Sequence, residues 1–253
     1  MSENRDERQL AALVLAAGKG TRMGAERAKV LHRIRGSMML ELVLDTVGQT
    51  GAEPIVVVVG FDKDAVIRAL PGNVAWVHQK EQLGTGHAVL QAEAVFGDFP
   101  GDILVLYGDV PLVKKTTLLA VVEEHRRTQA EATLATATVN EESTYGRVIR
   151  GADGTFERIV EYKDANTEER KIREINTGLY CFQSAPLFQA LKEISNDNEQ
   201  REYYLTDVFA ILKKRGSRIG AYRLKDAAEA LGVDTLKGLE EAEKLLDGRN
   251  GKA

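Results

Sequence analysis

Four short runs of apolar, mostly β-branched residues divide the first half of the chain. They are 11–16 (AALVLA), 55–59 (IVVVV), 74–78 (VAWVH) and 103–107 (ILVLY). Continuous apolar runs of this length are typical of strands that are buried on both faces of a sheet. The segments between them repeat apolar residues every third or fourth position, as amphipathic helices do. We expect the first helix to stop at Gly51, Asp62 to cap the second, and a third to run from Ala88 to Val95.

The second half of the chain has a mixed pattern. It predicts a helix over 116–127, a strand over 132–139 and a hairpin in "RVIRGADGTFERIVE", where Asp-Gly separates two extended runs. Two more helices, the first capped by Ser184, a strand at 218–222 and a charged C-terminal helix follow.

Together these elements predict an α/β fold with a mainly parallel sheet, flanked by helices, and a small antiparallel β insertion. The sequence has no internal repeat and no low-complexity linker. We therefore expect one domain over residues 11–234, after a flexible tail at 1–10 and before a C-terminal helix and tail at 235–253.

Composition and charge exclude several classes of function. The chain has 34 basic and 38 acidic residues and a net charge of -4, which gives no reason to expect nucleic acid or a membrane as a partner. The single cysteine, Cys181, excludes an intrachain disulfide and a cysteine zinc cluster. The polar N-terminus has no apolar signal region, so we expect a cytoplasmic protein.

The first predicted strand runs into the glycine-containing segment "LAAGKGTR". Its glycine spacing fits neither a P-loop nor a dinucleotide fingerprint. In an open parallel sheet, however, ligands bind at the carboxyl ends of the strands. Small residues let backbone N–H groups approach a phosphate closely, and Arg22 and Lys29 could neutralise its oxygens. The alternative is an ordinary turn with solvated cations.

Two more segments follow predicted strands. In "LYGDVPL", Asp109 comes after a buried strand and could hold Mg²⁺, which binds a few carboxylates together with phosphate oxygens and water. The alternative is an aspartate in a turn. In "QLGTGHA", together with the nearby Gln79, the residues Gly84 and Thr85 could bind the edge of a base, although such a loop also precedes many helices.

Read together, the motifs resemble one family. They are "LAAGKGTRM", "AKVLH", "EQLGTGHAVLQA", "LYGDVPL", "YGRVIR", "IVEYKDA", "EINTGLY" and "EYYLTD", in this order over residues 13–236. The chain resembles the uridylyltransferase half of the bifunctional bacterial N-acetylglucosamine-1-phosphate uridylyltransferases. The resemblance implies a Rossmann-like fold and transfer of uridylyl from UTP to N-acetylglucosamine-1-phosphate, with pyrophosphate released. The family's second half, a left-handed β-helix that transfers acetyl groups, has no counterpart here, so acetyl transfer is not expected.

The resemblance also implies roles for individual residues. The nucleotide would contact Leu15, Ala16, Ala17, Gly18, Gly20, Gln79, Gly84 and Thr85. The sugar would contact Tyr107, Gly108, Gly146, Glu161 and Asn176. Arg22, Lys29 and Asp109 would be the catalytic residues, and Asp109 and Asp234 would hold the Mg²⁺ cofactor.

Two positions depart from the family pattern. Ala28 replaces a proline before Lys29, and Asp234 replaces an asparagine that is the second metal ligand. Asp234 could also cap the C-terminal helix. Relatives that act on other sugars use two aspartates, so glucose-1-phosphate with dTTP or UTP remains an alternative. A second alternative is a non-catalytic nucleotide-sugar-binding regulator, and a monomer is slightly favoured.

Overall fold

The computed structural model describes residues 8–20, 23, 26–140 and 143–250. The strands in this part of the chain are β1 (Leu10–Ala16), β2 (Arg33–Ile34), β3 (Ser37–Met38), β4 (Ile55–Val59), β5 (Ala75–His78), β6 (Asp102–Tyr107), β7 (Ala132–Thr138), β8 (Arg147–Arg150), β9 (Phe156–Val160), β10 (Glu174–Gln183) and β11 (Ile219–Arg223). The α-helices are α1 (Met39–Gly48), α2 (Lys63–Ala69), α3 (Thr85–Leu90), α4 (Glu93–Phe96), α5 (Lys115–Arg127), α6 (Thr167–Arg170), α7 (Ser184–Leu191), α8 (Asp207–Lys214) and α9 (Leu236–Asn250).

The main sheet has the strand order β11-β7-β10-β6-β1-β4-β5. The four strands β6-β1-β4-β5 are all parallel to one another, and β11 pairs with β7 in parallel. Strand β10 runs antiparallel to both β6 and β7. The predicted mainly parallel sheet is therefore confirmed, with one long antiparallel strand at its centre. The apolar stretch around Cys181 is typical of a strand, but the pattern predicts neither the length nor the direction of β10.

Both faces of the sheet are covered. Along β1, Ala12, Val14 and Ala16 pack into one apolar cluster, whereas Leu13 and Leu15 pack into a second on the opposite face. Helices α1 and α5 contribute to the first cluster, and α3, α7 and α8 contribute to the second. This two-sided burial explains why the sequences of β1, β4 and β6 are continuously apolar. The prediction of two-sided burial is wrong for β5, which lies at the edge of the sheet with Ala75 and Trp76 exposed.

The predicted antiparallel insertion is also confirmed. Strands β8 and β9 form a hairpin, and β8 joins the main sheet where Arg147 pairs with Ile175 of β10. The turn of the hairpin places Gly154 at φ +78°, a conformation that glycine adopts without steric cost. The hairpin thus extends the main sheet beside the first half of β10.

Of the two predicted helix caps, Asp62 does occupy the N-cap position of α2 but makes no side-chain capping bond, and Ser184 is wrong by one residue. Asp62 adopts a left-handed conformation, with φ 53°, and its carboxylate accepts the N–H of Ala28 at 3.3 Å instead of capping α2. Ser184 lies inside α7, after the N-cap residue Gln183, and its hydroxyl donates to the Phe96 carbonyl. In both cases a partner distant in sequence takes the side chain, which local spacing cannot reveal.

Three other predicted helix features also differ. The expected helix from Ala88 to Val95 is divided into α3 and α4, because Ala92 leaves the helical conformation between them. At α9 the side chain that caps the first turn is Thr235, whose hydroxyl accepts the N–H of Gly238 at 3.0 Å. The first helix ends at Gly48, three residues before the predicted stop at Gly51.

A buried charge cluster fixes the amino end of β6. The Asp102 carboxylate is fully buried and receives Arg126 at 2.9 Å and Arg8 at 3.1 Å, with His125 at 3.4 Å. Arg8 makes an ion pair and β1 begins at Leu10, so residues 8–10 of the tail that we predicted over 1–10 take part in the fold; residues 1–7 lie outside the described residues. Among the described helices, none is long and apolar enough to cross a bilayer.

Candidate active site

Two neighbouring cavities open at the carboxyl ends of β1, β5 and β6. Each has a volume of about 250 Å³. Lys29, Tyr107 and Asp109 line both cavities, so the two meet at these three side chains. Their position is the one at which open parallel sheets bind ligands.

The first cavity is lined by most of the residues expected to contact a nucleotide. Those residues are Leu15, Ala16, Ala17, Gly18, Gln79, Gly84 and Thr85. The eighth, Gly20, supports Lys29 instead. Gly20 has φ +60°, and a Cβ atom there would lie 2.5 Å from the Cβ of Lys29. A larger residue at position 20 would therefore push the lysine away from its place.

The loop after β1 is held by close backbone packing. The Ala17 carbonyl accepts the N–H of Phe61 at 3.1 Å, and a Cβ at Gly60 would lie 2.7 Å from the Ala17 carbonyl oxygen. This close approach requires glycine at position 60. The loop after β4 therefore supports the loop after β1, and Ala17 and Gly18 of the loop after β1 line the first cavity.

Gln79 is held in a fixed position at the floor of this cavity. It is buried, and its side-chain amide donates to the Gly84 carbonyl at 3.0 Å and contacts Nδ1 of His87 at 3.1 Å. His87 also contacts the amide of Gln91 at 3.2 Å. His87 thus positions Gln79 from the first turns of α3, a role that its place in the sequence does not indicate.

The segment around Tyr203 supports the loop that carries Gly84 and Thr85. Gly84 has φ +112°, and a Cβ there would lie 2.6 Å from the Tyr203 carbonyl oxygen. The Thr85 hydroxyl accepts the N–H of Leu205 at 3.0 Å. The motifs "LGTGHA" and "EYYLTD" therefore contact each other, and residues 203–205 of the second hold the Gly84–Thr85 backbone of the first in place.

A three-residue cluster of charges lies where the two cavities meet. The ammonium group of Lys29 bonds to the Asp109 carboxylate and lies 2.5 Å from Oδ1 of Asp234. Burial lowers the pKa of Lys29, but the charges of Asp109 and Asp234 outweigh it, and the pKa is raised above its ordinary value. Lys29 is therefore protonated at neutral pH and holds the two carboxylates together.

Lys29 is itself placed by its backbone. It begins a short 3₁₀ helix, Lys29–Leu31, in which Val30 and Leu31 are buried. The N–H of the preceding Ala28 donates to Asp62, as described above. The proline that the resemblance leads us to expect at position 28 would lack this N–H, whereas alanine allows the tertiary hydrogen bond.

The second cavity contains most of the residues expected on the sugar side. Tyr107, Gly146, Glu161 and Asn176 line it, together with Asp234. Glu161 accepts the Thr206 hydroxyl at 2.9 Å, and burial raises the pKa of its carboxyl group.

The Asn176 amide in this cavity donates to the Tyr180 hydroxyl at 2.7 Å. Its backbone N–H donates to the Gly146 carbonyl at 2.9 Å, so two of the sugar-side residues are joined directly.

Two of the sugar-side residues have backbone roles as well. Gly108 lines neither cavity; it packs against Leu40 and Val30, and its N–H donates to the Leu15 carbonyl at 2.9 Å. The Tyr107 ring lies over Gly178, which has φ +77° and no room for a Cβ. Burial raises the pKa of the Tyr107 phenol, with Glu161 and Asp109 adding to the shift.

Some residues that line the two cavities were not predicted as site residues, and one predicted site residue cannot be placed. Arg22, predicted to be catalytic, lies outside the described residues. The cavity walls also include Gln82 and Glu202 on the nucleotide side and Tyr145, Thr177 and Gly232 on the sugar side. Most of these are neighbours of predicted residues within the same motifs, so the motif boundaries could have indicated them. Glu202 begins the motif "EYYLTD", and Gly232 lies two positions before Asp234.

The geometry can be compared with known proteins. A family model described as MobA-like NTP transferase domain matches residues 12–208. The "Bifunctional protein GlmU" of Halalkalibacterium halodurans is 46% identical over 96% of this chain and 53% of its own length. The protein of the same name from Acetivibrio thermocellus is 42% identical over 95% and 52%, respectively. The chain thus spans about half the length of these relatives.

Solved structures support the fold. A crystal structure of UDP-glucose pyrophosphorylase complexed with UDP-glucose superposes with a TM-score of 0.75 at 22% identity, covering 96% of this chain and 99% of the other. The UDP-glucose pyrophosphorylase from Acinetobacter baumanii gives 0.71 at 22% identity, covering 93% and 92%. The predicted fold and the predicted resemblance are therefore both confirmed. The chain belongs to the MobA-like NTP transferase domain family and is a nucleotidyltransferase.

Proposed function

We propose that the protein transfers uridylyl from UTP to N-acetylglucosamine-1-phosphate in the presence of Mg²⁺, releasing pyrophosphate. The observation that carries the proposal is the meeting of two cavities of similar volume at Lys29 and Asp109. Two anionic substrates that bind on either side would bring their phosphates together at this junction. Such a transfer needs alignment of the two reactants and positive charge around the phosphorus, and no side-chain nucleophile.

The first cavity suits the nucleoside triphosphate. The small residues Ala16, Ala17 and Gly18 leave backbone groups accessible at the end of β1, where a phosphate can approach closely. Gln79 offers a fixed amide, which can read the donor and acceptor pattern of a base edge. The relatives named GlmU carry the same domain, and this similarity together with the fixed amide favours a pyrimidine nucleotide as donor.

The second cavity suits a sugar phosphate with polar substituents. Glu161 can accept hydrogen bonds from hydroxyl groups, and the raised pKa lets it hold a proton more readily than an exposed glutamate. The Asn176 amide and the backbone at Gly146 are near enough to each other to select a second substituent such as an N-acetyl group. The phosphate of the sugar would then lie at Lys29.

The residues present fit a magnesium ion. Asp109 and Asp234 already converge on one cationic group, and their oxygens are the ligands that Mg²⁺ prefers. Within the described residues, no group of three or more histidine, cysteine or carboxylate side chains could hold a metal by itself. Mg²⁺ commonly binds through one or two carboxylates and takes its remaining ligands from phosphates and water. When bound, the ion would neutralise charge on the reacting phosphates.

Lys29 supplies the protein's own positive charge at the reacting phosphates. Its long side chain can turn from the two carboxylates toward the anionic oxygens of either substrate. A cation at this place reduces the repulsion between sugar phosphate and triphosphate and stabilises the departing pyrophosphate. Loop packing at Gly20 keeps the lysine within reach of both cavities.

The test is pyrophosphate release from a panel of substrates. N-acetylglucosamine-1-phosphate, glucose-1-phosphate and glucosamine-1-phosphate are each combined with UTP, dTTP or ATP, with and without Mg²⁺. We expect the highest kcat/KM for UTP with N-acetylglucosamine-1-phosphate. Asp109→Asn should lower turnover by about a thousandfold or more. Asp153→Asn, which removes a carboxylate on the exposed hairpin turn, should leave turnover unchanged.

Two other results would change the proposal. A preference for glucose-1-phosphate would assign the site to another sugar, as Asp234 in place of the family asparagine and the fold similarity to UDP-glucose pyrophosphorylase suggest. Tight binding of nucleotide sugar without any pyrophosphate release would indicate a regulator. The joint presence of Lys29 and two carboxylates argues against a regulator, since a binding protein has no need of this cluster.

A further inference from the structure

The loop that carries Asp234 has little structure of its own. Residues 231–234 lie between a 3₁₀ helix, Ala227–Ala230, and α9, and they form neither helix nor strand. One bond ties this loop to the backbone of Asp109, the residue that carries the other carboxylate: the N–H of Val233 donates to the Asp109 backbone carbonyl at 2.9 Å. The Val233 side chain is fully buried. What fixes the rest of the loop therefore decides where the Asp234 carboxylate lies.

The hydroxyl group of Tyr145 makes two further bonds, one to this loop and one to the residue before it. It accepts the N–H of Gly232 at 2.8 Å and donates to the Ala230 carbonyl at 3.2 Å. One oxygen atom therefore satisfies a donor and an acceptor on the two sides of Leu231. Both backbone groups would lose their protein partner if the hydroxyl were absent.

Tyr145 comes from the sugar side of the site. Its neighbours in sequence, Thr144 and Gly146, line the second cavity with it. From behind, the Arg147 guanidinium donates to the Tyr145 carbonyl and to the Ser143 carbonyl, the latter at 2.8 Å. The backbone that carries Tyr145 is thus fixed against the hairpin β8-β9, and the tyrosine reaches from this fixed base to the loop at 231–234.

The surroundings keep the hydroxyl protonated. Burial raises the pKa of Tyr145, and the nearby charges of Asp109 and Asp234 raise it further, against the Gly232 hydrogen bond and Lys29. A protonated hydroxyl can donate and accept at the same time, as both bonds require.

We propose that Tyr145 is a positioning residue that sets the Asp234 carboxylate opposite Asp109 and links the sugar cavity to the cation site. The inference rests on the proposed function, because it assigns a divalent cation to these two carboxylates. Tyr145 touches neither the cation nor the reacting atoms in this scheme; it acts through the backbone of Gly232. Its loss should therefore weaken cation binding more than it lowers turnover at saturating cation.

The test compares Tyr145→Phe with Tyr222→Phe as a matched control. Tyr222 lies on the edge strand β11, lines neither cavity, and loses the same hydroxyl group. Mn²⁺ is titrated into the protein without substrates and followed by electron paramagnetic resonance. We expect Tyr145→Phe to weaken Mn²⁺ binding about five- to tenfold, the effect of losing one or two hydrogen bonds. Tyr222→Phe should bind as the wild type does.

Kinetics supply a second readout. In the pyrophosphate assay, Tyr145→Phe should raise the apparent KM for Mg²⁺ by a similar factor while kcat at saturating Mg²⁺ stays within about threefold of wild type. A fall in kcat with no change in either cation constant would overturn the proposal. Wild-type affinity for Mn²⁺ in Tyr145→Phe would do the same, as would an Asp234→Ala variant, which lacks a side-chain oxygen, that binds Mn²⁺ normally.

The experiments distinguish failure of the Tyr145 proposal from failure of the proposed function. A wild-type protein that binds Mn²⁺ but releases no pyrophosphate from any substrate would refute the proposed reaction, and the Mn²⁺ titrations would still decide the role of Tyr145. If Tyr145→Phe does not fold, hydrogen exchange of the wild type decides instead. The Gly232 and Val233 amides should exchange slowly, because both are hydrogen-bonded; exchange at the rate of unstructured peptide would overturn the proposal.

Discussion

Lys29 occupies the place where the divalent cation is proposed to bind, so its replacement should have opposite effects on binding and turnover. Its ammonium group contacts both carboxylates, and a cation that binds there must displace it. The displaced lysine is then free to contact the substrate phosphates. Lys29→Met keeps most of the length of the side chain and removes the charge. We expect this variant to bind Mn²⁺ more tightly than wild type and to turn over more slowly.

The structure indicates the size of both effects. Lys29 and Asp109 are 15% and 12% exposed, so this ion pair is largely buried, and a charge-assisted hydrogen bond of this kind contributes about 1.5–3 kcal/mol. Asp234 is 39% exposed, so solvent screens its pair, which contributes about 0.5 kcal/mol. The sum is about 2–3 kcal/mol, and some of it is recovered when the freed lysine is hydrated. At about 1.4 kcal/mol for each factor of ten, Mn²⁺ should bind about ten- to thirtyfold more tightly.

Turnover should change in the other direction. Removing one preorganised positive group from the reacting phosphates costs about 2.7–4 kcal/mol, or a factor of about 10²–10³ in kcat. Calorimetric or spin-resonance titration gives the Mn²⁺ affinity without substrates, and pyrophosphate release gives kcat. Lys63→Met, which removes an exposed lysine on α2, is the matched control and should change neither. If Lys29→Met bound Mn²⁺ as weakly as wild type or more weakly, the lysine would not compete for the cation position, and the reasoning would be refuted.

Three other predictions concern the support of the site and the stability of the fold. Gly84→Ala places a methyl group within 2.6 Å of the Tyr203 carbonyl oxygen at φ +112°; initial-rate kinetics should show the KM for UTP rising about tenfold from a strain of about 1–3 kcal/mol, and an unchanged KM would remove this loop from the nucleotide site. Asp102→Asn breaks the buried cluster at the amino end of β6; urea unfolding should show a loss of about 3–5 kcal/mol, with kcat per folded molecule unaffected. Burial, with the charge of Asp164, raises the pKa of Asp207 to about 6, so the folded state binds its proton more firmly than the unfolded chain and stability is lost as pH rises through 6. Asp207→Asn should therefore unfold at higher urea than wild type near pH 8, by about 1–2 kcal/mol, and show no advantage near pH 4; an equal advantage at both pH values would contradict the assignment.

Much of the sheet could be predicted from the sequence because β1, β4 and β6 are buried on both faces. Continuous apolar runs identify β1, β4, β5 and β6 to within a residue or two, and the loops after them are where a parallel sheet binds ligands. The antiparallel strand β10 is different. It contains Asn176 and Gly178, whose site roles interrupt the apolar pattern, and its register shifts between Asn176 and Tyr180.

The sequence predicts which residues could form the site, but it does not predict which of them contact each other. Asp109 follows the end of β6, and its position is where a parallel sheet binds ligands. That Lys29 lies between Asp109 and Asp234 depends on packing across 205 positions of the chain, and no local signal encodes it. The same applies to Tyr145 and Gly232, which are 87 positions apart.

Local capping rules failed at Asp62 for a related reason. Its carboxylate would cap α2 if only neighbouring residues competed for it. Ala28 offers an N–H from a distant loop, and the left-handed conformation of Asp62 turns the side chain toward that loop. The error thus marks a residue that supports Lys29, as local rules tend to fail where tertiary or functional contacts take over.

The most direct test of the cation site is a crystal of the protein grown with UDP-N-acetylglucosamine and Mn²⁺, with anomalous diffraction measured at the manganese edge. The account predicts one strong peak about 2.2 Å from carboxylate oxygens of both Asp109 and Asp234 and at a similar distance from a pyrophosphoryl oxygen. Lys29 should have turned away from the carboxylates toward the phosphates. A peak elsewhere, or carboxyl groups more than about 10 Å from every pyrophosphoryl oxygen, far beyond direct coordination, would contradict the account.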